Sequence, residues 1–275
     1  MASNIIQDDK AGQEYWNNTW DDYSLPPVWD VDSSKITKHV EREFFLWIKE
    51  TLEHFGKTGS NVELVEVGCA RSQVLPILAS QLGVSISGID YSPNGCEQAR
   101  MMLDREDIKG NIFCHDIFSI PKDLKRKFDV VISFGLIEHF SDTKEIVQSL
   151  SELLKPGGII LTSLPNMNGT VGFFQKTLNR SIYDIHVPLT PDQVRVAHEA
   201  SGLDVIETKY FLSTNFGIVN LGSPNKTNPT WWAKKITLAV LTRLSMAAWW
   251  AERKNIKLSA RGSFSPYINC VARKP

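Results

Sequence analysis

Cysteine is scarce in this chain of 275 residues: Cys69, Cys96, Cys114 and Cys270 are scattered and fall at no metal-ligand spacing. That excludes a zinc ribbon and a disulfide-stapled fold, and it reads as small buried residues in a reducing compartment. An excess of one charge is also missing. The formal net charge is -1, so no overall field draws the chain to nucleic acid. The start, Met1-Ala-Ser-Asn-Ile-Ile-Gln-Asp-Asp, has neither a basic head nor an apolar stretch of signal length. No internal repeat is visible. The expectation from these absences is a cytoplasmic protein without nucleic-acid partners. The length suits one large α/β domain with an elaboration.

Residues 62–164 carry a regular alternation. Apolar strand-like runs at 62–67, 85–89, 111–115, 128–134 and 158–164 are separated by helical patterns at 73–81, 94–105 and 143–154. Lys155-Pro-Gly-Gly158 reads as a turn, because proline presets φ and glycine tolerates positive φ. Strands this apolar are covered on both faces, so the pattern predicts a doubly wound, mostly parallel α/β sheet. Upstream, 36–55 repeats Val40, Phe44, Trp47, Ile48 and Leu52 at helical spacing. Residues 1–34 set Tyr15, Trp16, Trp20, Tyr23 and Trp29 among acids. That segment is too aromatic for plain disorder and suits a cap over a pocket or an arm on the surface. Downstream, 165–187 reads as loop. A helix follows at 191–201, with Thr190 as N-cap and Gly202 as stop. Strands are expected at 203–212 and 265–272, with a long insertion between them. The organisation expected is a cap and helix over 1–60, a core over 61–212, an insertion or lid over 213–262, and a last core strand over 263–275.

The run Val62-Glu-Leu-Val-Glu-Val-Gly-Cys-Ala70 ends a strand in an acid and a glycine, and Gly88-Ile-Asp-Tyr-Ser92 ends the next in Asp90. Such a turn lets backbone approach a nucleoside, and an acid about twenty residues on accepts from ribose hydroxyls. Of the three glycines of the dinucleotide fingerprint, only Gly68 is present; Ala70 and Ser72 occupy the other positions. A diphosphate needs the missing glycines at a helix N-terminus, which counts against a nicotinamide-dependent oxidoreductase.

The order and spacing of these pieces, with His-Asp-Ile-Phe, Phe-Asp-Val-Val-Ile-Ser-Phe-Gly-Leu-Ile-Glu-His-Phe, Leu-Leu-Lys-Pro-Gly-Gly-Ile-Ile-Leu and His186-Val-Pro-Leu-Thr-Pro191, resemble the class I S-adenosylmethionine-dependent methyltransferases. The small-molecule branch that includes ubiquinone-biosynthesis O-methyltransferases is the most similar. The resemblance implies a Rossmann-like, seven-stranded sheet with its last strand antiparallel, and S-adenosylmethionine as cofactor. It implies that Glu66, Gly68 and Ala70 line the methionine end, Asp90 holds the ribose, and Tyr91 lies beside the adenine. Asp116 would accept from the adenine amine, Ile117 would offer backbone, and Phe134 and Gly135 would meet the sulfonium. The implied activity is methyl transfer to a small-molecule acceptor, at oxygen by the branch resemblance. N-methylation, or a non-catalytic protein of this fold that binds cofactor or lipid, stays open.

An oxygen acceptor must lose a proton, and histidine is the usual agent. His139, after the fourth strand, and His186, before the 191–201 helix, are the candidates. Glu138 could hold a divalent metal or orient a neighbour, but no clustered ligand set is visible, and no metal is expected. His39, His54, His115 and His198 read as structural or exposed. In the insertion, 231–250 as a helix gathers Ile236, Val240, Leu241, Leu244, Ala247 and Ala248 on one face, with Lys235, Thr242 and Arg243 opposite and Trp pairs at both ends. Its charges argue against a membrane span. The expectation is a lid packing that face on the domain, and the other use is peripheral contact in a membrane interface. Either overhangs the acceptor site, which suits a hydrophobic or lipid-linked acceptor.

Overall fold

The computed structural model describes residues 9–21, 24–224, 227–256 and 258–275. The start of the chain read for a leader, and Tyr23 of the aromatic segment, lie outside the described residues. In chain order the elements are α1 (Gln13–Thr19), α2 (His39–His54), β1 (Glu63–Val67), α3 (Leu75–Leu82), β2 (Ser85–Asp90), α4 (Pro93–Arg105), β3 (Gly110–Cys114), β4 (Phe128–Phe134) and α5 (Thr143–Glu152). Then come β5 (Leu154–Pro165), α6 (Thr170–Leu178), α7 (Arg180–Asp184), α8 (Pro191–Ala200), β6 (Asp204–Phe211), α9 (Pro229–Arg253) and β7 (Tyr267–Arg273).

The seven strands form one sheet in the order β3-β2-β1-β4-β5-β7-β6. The first five are parallel, and β7 runs antiparallel between β5 and β6. This is the Rossmann-like methyltransferase fold expected above. Period-two alternation builds a core on each face. Leu64 of β1 with Val130 and Ile132 of β4 packs under α2 and α3, through Phe44, Ile48, Leu52, Leu75 and Leu78. Val65 and Val67 with Val131 pack on the other face under Ile146 and Leu150 of α5 and Val194 of α8. Leu64, Val65, Val130 and Val131 are fully buried, and each such side chain contributes about 2 kcal/mol of transfer free energy. Thr190 and Gln193 close the reciprocal capping box that starts α8, and Gly202 ends the turn at φ +78°.

Three local expectations fail. Residues 155–158 do not leave the sheet as a turn; β5 already begins at Leu154. The pairing jumps from Phe128↔Leu154 to Val130↔Ile159, so the extra residues bulge within the strand, with Gly157 at φ +73°. Residues 165–187 are not loop but hold α6 and α7. Val171 and Leu178 of α6 pack with Val219 in a small separate cluster, a tertiary contact that local composition does not announce. Finally, α9 does not pack its most apolar face on the domain. Ser245 and Trp249 are its buried residues. They are fixed by the Phe216 amide donating to Ser245 Oγ at 2.9 Å and by Trp249 Nε1 donating to the Thr214 carbonyl at 2.8 Å. These bonds set the helix rotation and turn Ile236, Val240 and Leu244 outward.

Candidate active site

The sheet changes winding direction between β1 and β4, and a crevice opens at the carboxyl ends of these strands. Both strands end in a left-handed glycine: Gly68 at φ +80° and Gly135 at φ +65°. The sharp exits lift the following chain away from the crevice. Side chains at these two positions would be strained by the backbone alone, and a Cβ on Gly68 would already touch Leu136 Cδ1 at 3.5 Å.

A cavity of about 330 Å³ fills the crevice. Its wall includes all nine positions implied for cofactor binding: Glu66, Gly68, Ala70, Asp90, Tyr91, Asp116, Ile117, Phe134 and Gly135. Asp90 is held by two backbone donors, with Ala70 N–H to Oδ2 at 3.1 Å and Ser92 N–H to Oδ1 at 2.9 Å. Burial raises its pKa and these amides oppose the rise. Asp116 caps the following 3₁₀ turn, its Oδ1 accepting from the Phe118 amide at 3.0 Å. Glu66 is buried, and burial, with the Asp90 charge adding to it, pushes its carboxyl up to about 7 against a Ser72 hydrogen bond. Its Oε2 has no hydrogen-bond partner among the described residues. A donor on a ligand would satisfy that atom.

The cavity's charge is lopsided. Asp9, Glu66, Asp90 and Asp116 line it, against Arg71. Such a wall suits a ligand with hydroxyl and amine donors and a positive centre, and it repels a diphosphate.

The N-terminal segment roofs the cavity with Asp9, Trp16, Trp20 and Trp29. Tyr91 Oη donates to Asp9 Oδ2 at 2.5 Å, Gln13 Nε2 donates to the Tyr91 carbonyl at 2.7 Å, and Ser92 Oγ donates to Asn17 Oδ1 at 2.6 Å. Burial and the Asp9 contact push the Tyr91 phenol well above its usual range. Arg71 lies over the Trp20 ring at 5.4 Å. No residue of α1 is buried; the roof is held by these polar contacts and by Trp29, which packs against the core beside Phe44.

A second cavity, about 280 Å³, adjoins the first and shares Trp29, Phe134 and Gly135 with it. Val40, Phe44, Leu164, Ile218 and Tyr267 make it largely apolar, and Glu41 and Ser163 add polar groups. The Glu41 carboxylate accepts from Lys38 Nζ at 2.8 Å and from the Asp30 amide at 3.0 Å. Tyr267 Oη accepts from Asn215 Nδ2 at 2.9 Å, and burial pushes the phenol up to about 12. Ile218 comes from the insertion; α9 itself lines neither cavity.

His139 and His186 line neither cavity. They sit behind the roof, ring centroids 4.5 Å apart, with Trp16 edge-on to His139 at 5.0 Å. His139 Nδ1 lies 2.9 Å from the Ile185 carbonyl, and His186 Nδ1 lies 2.6 Å from that of Ile182. Burial lowers both pKa values, that of His186 to about 4 with the His139 charge adding to the effect. The structure does gather a ligand set that the sequence did not display: atoms of Glu138, His139 and His186 lie within 4.8 Å of one another. Both Glu138 oxygens are buried without a partner among the described residues, and burial pushes that carboxyl up to about 8.

Sequence reasoning missed Asp9, Arg71, His115 and Phe140 as wall residues. His115 immediately precedes Asp116, which was the available signal for it. Asp9 reaches the wall through its bridge to Phe140, a long-range pairing with no local mark.

A methyltransferase-domain family model matches residues 58–195. The chain belongs to this family. The matched span of this methyltransferase domain runs from before β1 into α8 and leaves out α9. Among curated relatives, the ubiquinone biosynthesis O-methyltransferase of Coxiella burnetii is 26% identical over 156 residues, 57% of this chain. The match spans 58% of that relative's length. The Psychrobacter cryohalolentis protein of the same name is 24% identical over 221 residues, covering 76% of this chain and 85% of the relative. Among solved structures, geranyl diphosphate C-methyltransferase from Streptomyces coelicolor superposes with a TM-score of 0.60 at 15% identity, covering both chains in full. A SAM-dependent methyltransferase from Archaeoglobus fulgidus gives 0.52 at 17% identity, covering 83% of this chain and 93% of the other. At these identities the structures share the fold.

Proposed function

We propose that the protein transfers the methyl group of S-adenosylmethionine to a small, largely apolar acceptor, at oxygen. The observation that carries the reading is one acid-lined cavity at the β1 and β4 ends that shares Trp29, Phe134 and Gly135 with a second, largely apolar cavity. The cofactor, when bound, supplies an electrophilic methyl on a sulfonium whose thioether is a neutral leaving group. Asp90 would accept from the ribose hydroxyls and Asp116 from the adenine amine, beside Tyr91 and the Ile117 backbone. The orphaned Glu66 Oε2 would accept from the amino group of the methionine end, with Gly68 and Ala70 beside it. Phe134 and Gly135, common to both walls, would lie between donor and acceptor. Trp16 and Trp20 exclude water from above, and Trp29 closes the side. Lack of the second and third fingerprint glycines is tolerable because this cofactor carries no phosphate.

In the acceptor cavity the apolar wall selects a flat or hydrocarbon body. The names of the curated relatives support oxygen as the site of transfer. A proton on an acceptor hydroxyl would meet Glu41 there. The base role expected of His139 and His186 requires the roof to move, since both rings stand behind it. As it stands, the pair anchors that roof, with the Lys10 amide donating to the His139 carbonyl at 2.9 Å. On this reading the core 61–212 and the cap 1–60 together enclose the donor, and both contribute to the acceptor cavity with Ile218 of the insertion and Tyr267 of the last strand.

Incubation with methyl-labelled S-adenosylmethionine and a panel of phenols, amines and prenylated phenols tests this reading. Label transferred to a phenolic oxygen, and lost with Asp90→Ala, is expected. Absence of transfer to every acceptor, with no binding of S-adenosylhomocysteine, would overturn it.

A further inference from the structure

The outward stripe of α9 is an apolar feature that the proposed reaction leaves unused. Trp232, Ile236, Val240, Leu244 and Trp250 stand at the steps of one helix face, and Ile236, Leu244 and Trp250 are 62%, 57% and 58% exposed. A solvated helix normally turns such residues inward. Here the inward face is committed instead: Ser245 and Trp249 bond to the preceding loop, and Arg253 Nη1 donates to the Ser34 carbonyl at 2.5 Å. The stripe is therefore held outward by the fold.

Charge selects the occupant. Residues 213–262 contain eight Lys and Arg against a single acid, Glu252, in a chain whose net charge is -1. Cations sit at both ends of the stripe. Lys235 Nζ lies 5.1 and 5.0 Å from the rings of Trp231 and Trp232, and Lys254 Nζ lies 5.7 Å from Trp250; Arg243 is exposed between them. A second copy of the chain would bring the same cations together, which costs energy, whereas a surface of lipid phosphates pairs them. Tryptophans at both ends match the depth at which amphipathic rings rest among headgroups. The helix is not long and apolar enough to cross a membrane.

We infer that α9 docks the protein on an anionic phospholipid surface, with Ile236, Val240 and Leu244 at acyl depth and Lys235, Arg243 and Lys254 on headgroup phosphates. The helix rests on the turn that contributes Ile218 to the apolar cavity, so docking sets that cavity beside the bilayer. The inference stands apart from the methyl-transfer reading.

The test is sedimentation of the full chain with vesicles of phosphatidylcholine alone and of phosphatidylcholine mixed with phosphatidylglycerol. Binding to the mixed vesicles, with a blue shift of tryptophan emission and release by salt, is expected. Lys235→Glu with Lys254→Glu should weaken binding by at least about fivefold per changed residue. Ile236→Glu with Leu244→Glu should reduce it to background. All variants should keep the wild-type melting temperature and chain mass in solution. Equal binding to both vesicle types, no binding to either, or a wild-type dimer that these substitutions split would each overturn the inference. Titration with S-adenosylhomocysteine reports on the cofactor cavity separately, so the two readings fail independently.

Discussion

The crevice at the ends of β1 and β4 and the outer face of α9 break the same rule in opposite directions. In the crevice, Glu66 and Asp90 are 6% and 7% exposed, although carboxylates belong in water. On α9, Ile236 and Leu244 are more than half exposed, although aliphatic side chains belong in a core. Neither arrangement stabilises the fold. Buried acids cost solvation, and an outward leucine forgoes the transfer free energy that Leu64 gains inside. Departures of this kind mark surfaces shaped for something other than folding, and their signs say what each awaits: hydrogen-bond donors and positive charge in one, apolar and anionic material in the other.

The contrast is sharpest in the response to substitution. Asp90→Ala should weaken S-adenosylhomocysteine binding by about 10²-fold or more in calorimetry, because charge-assisted hydrogen bonds are lost; unchanged affinity would remove Asp90 from the site. Leu64→Ala, below the crevice, should cost about 2–5 kcal/mol in urea unfolding through the cavity it leaves.

Acid extends the comparison. His198 is buried with Nδ1 2.8 Å from the Val194 carbonyl and Nε2 3.0 Å from Thr162 Oγ1, and burial lowers its pKa to about 4. The unfolded chain takes up this proton near pH 6.5, so the native state loses stability as pH falls from there through 4 and keeps it above 6.5. His198→Gln should shrink that acid loss by about 3 kcal/mol once the pH is below 4. Acid should therefore loosen the core around His198.

Two smaller effects complete the series. Trp16→Ala should weaken cofactor binding about fivefold by opening the roof, read by the same titration. Leu244→Ser should change stability by no more than about 0.5 kcal/mol. A loss as large as that of Leu64→Ala would mean that α9's outer face is part of a core after all.

The two regions also differ in how far the sequence reveals them. Strands β1 to β4 were legible because each is a short apolar run closed by a polar or glycine stop, and the parallel sheet follows from their alternation with helices. Of the wall positions, Asp90 was legible as the acid that ends a strand about twenty residues after a glycine turn, and Glu66 and Asp116 through the family resemblance. Of the roof, Trp16, Trp20 and Trp29 were legible as an aromatic segment that suited a cap or a surface arm, whereas Asp9 was not, since it meets Phe140 across more than a hundred positions. The rotation of α9 was not legible. Hydropathy places Ile236 and Leu244 on one face and says nothing of the bonds from Ser245 and Trp249 that turn that face outward. The histidine pair shows the same limit: His139 and His186 are 47 positions apart in sequence, and only the fold reveals that they meet behind Trp16 rather than in the cavity.

The central claim is that the acid-lined cavity holds an adenosyl sulfonium cofactor, and competitive calorimetry on the intact chain tests it most directly. S-adenosylhomocysteine should bind one per chain and be displaced by S-adenosylmethionine, while NADH gives no heat. Binding of NADH in its place, or silence from both adenosyl ligands, would contradict the account.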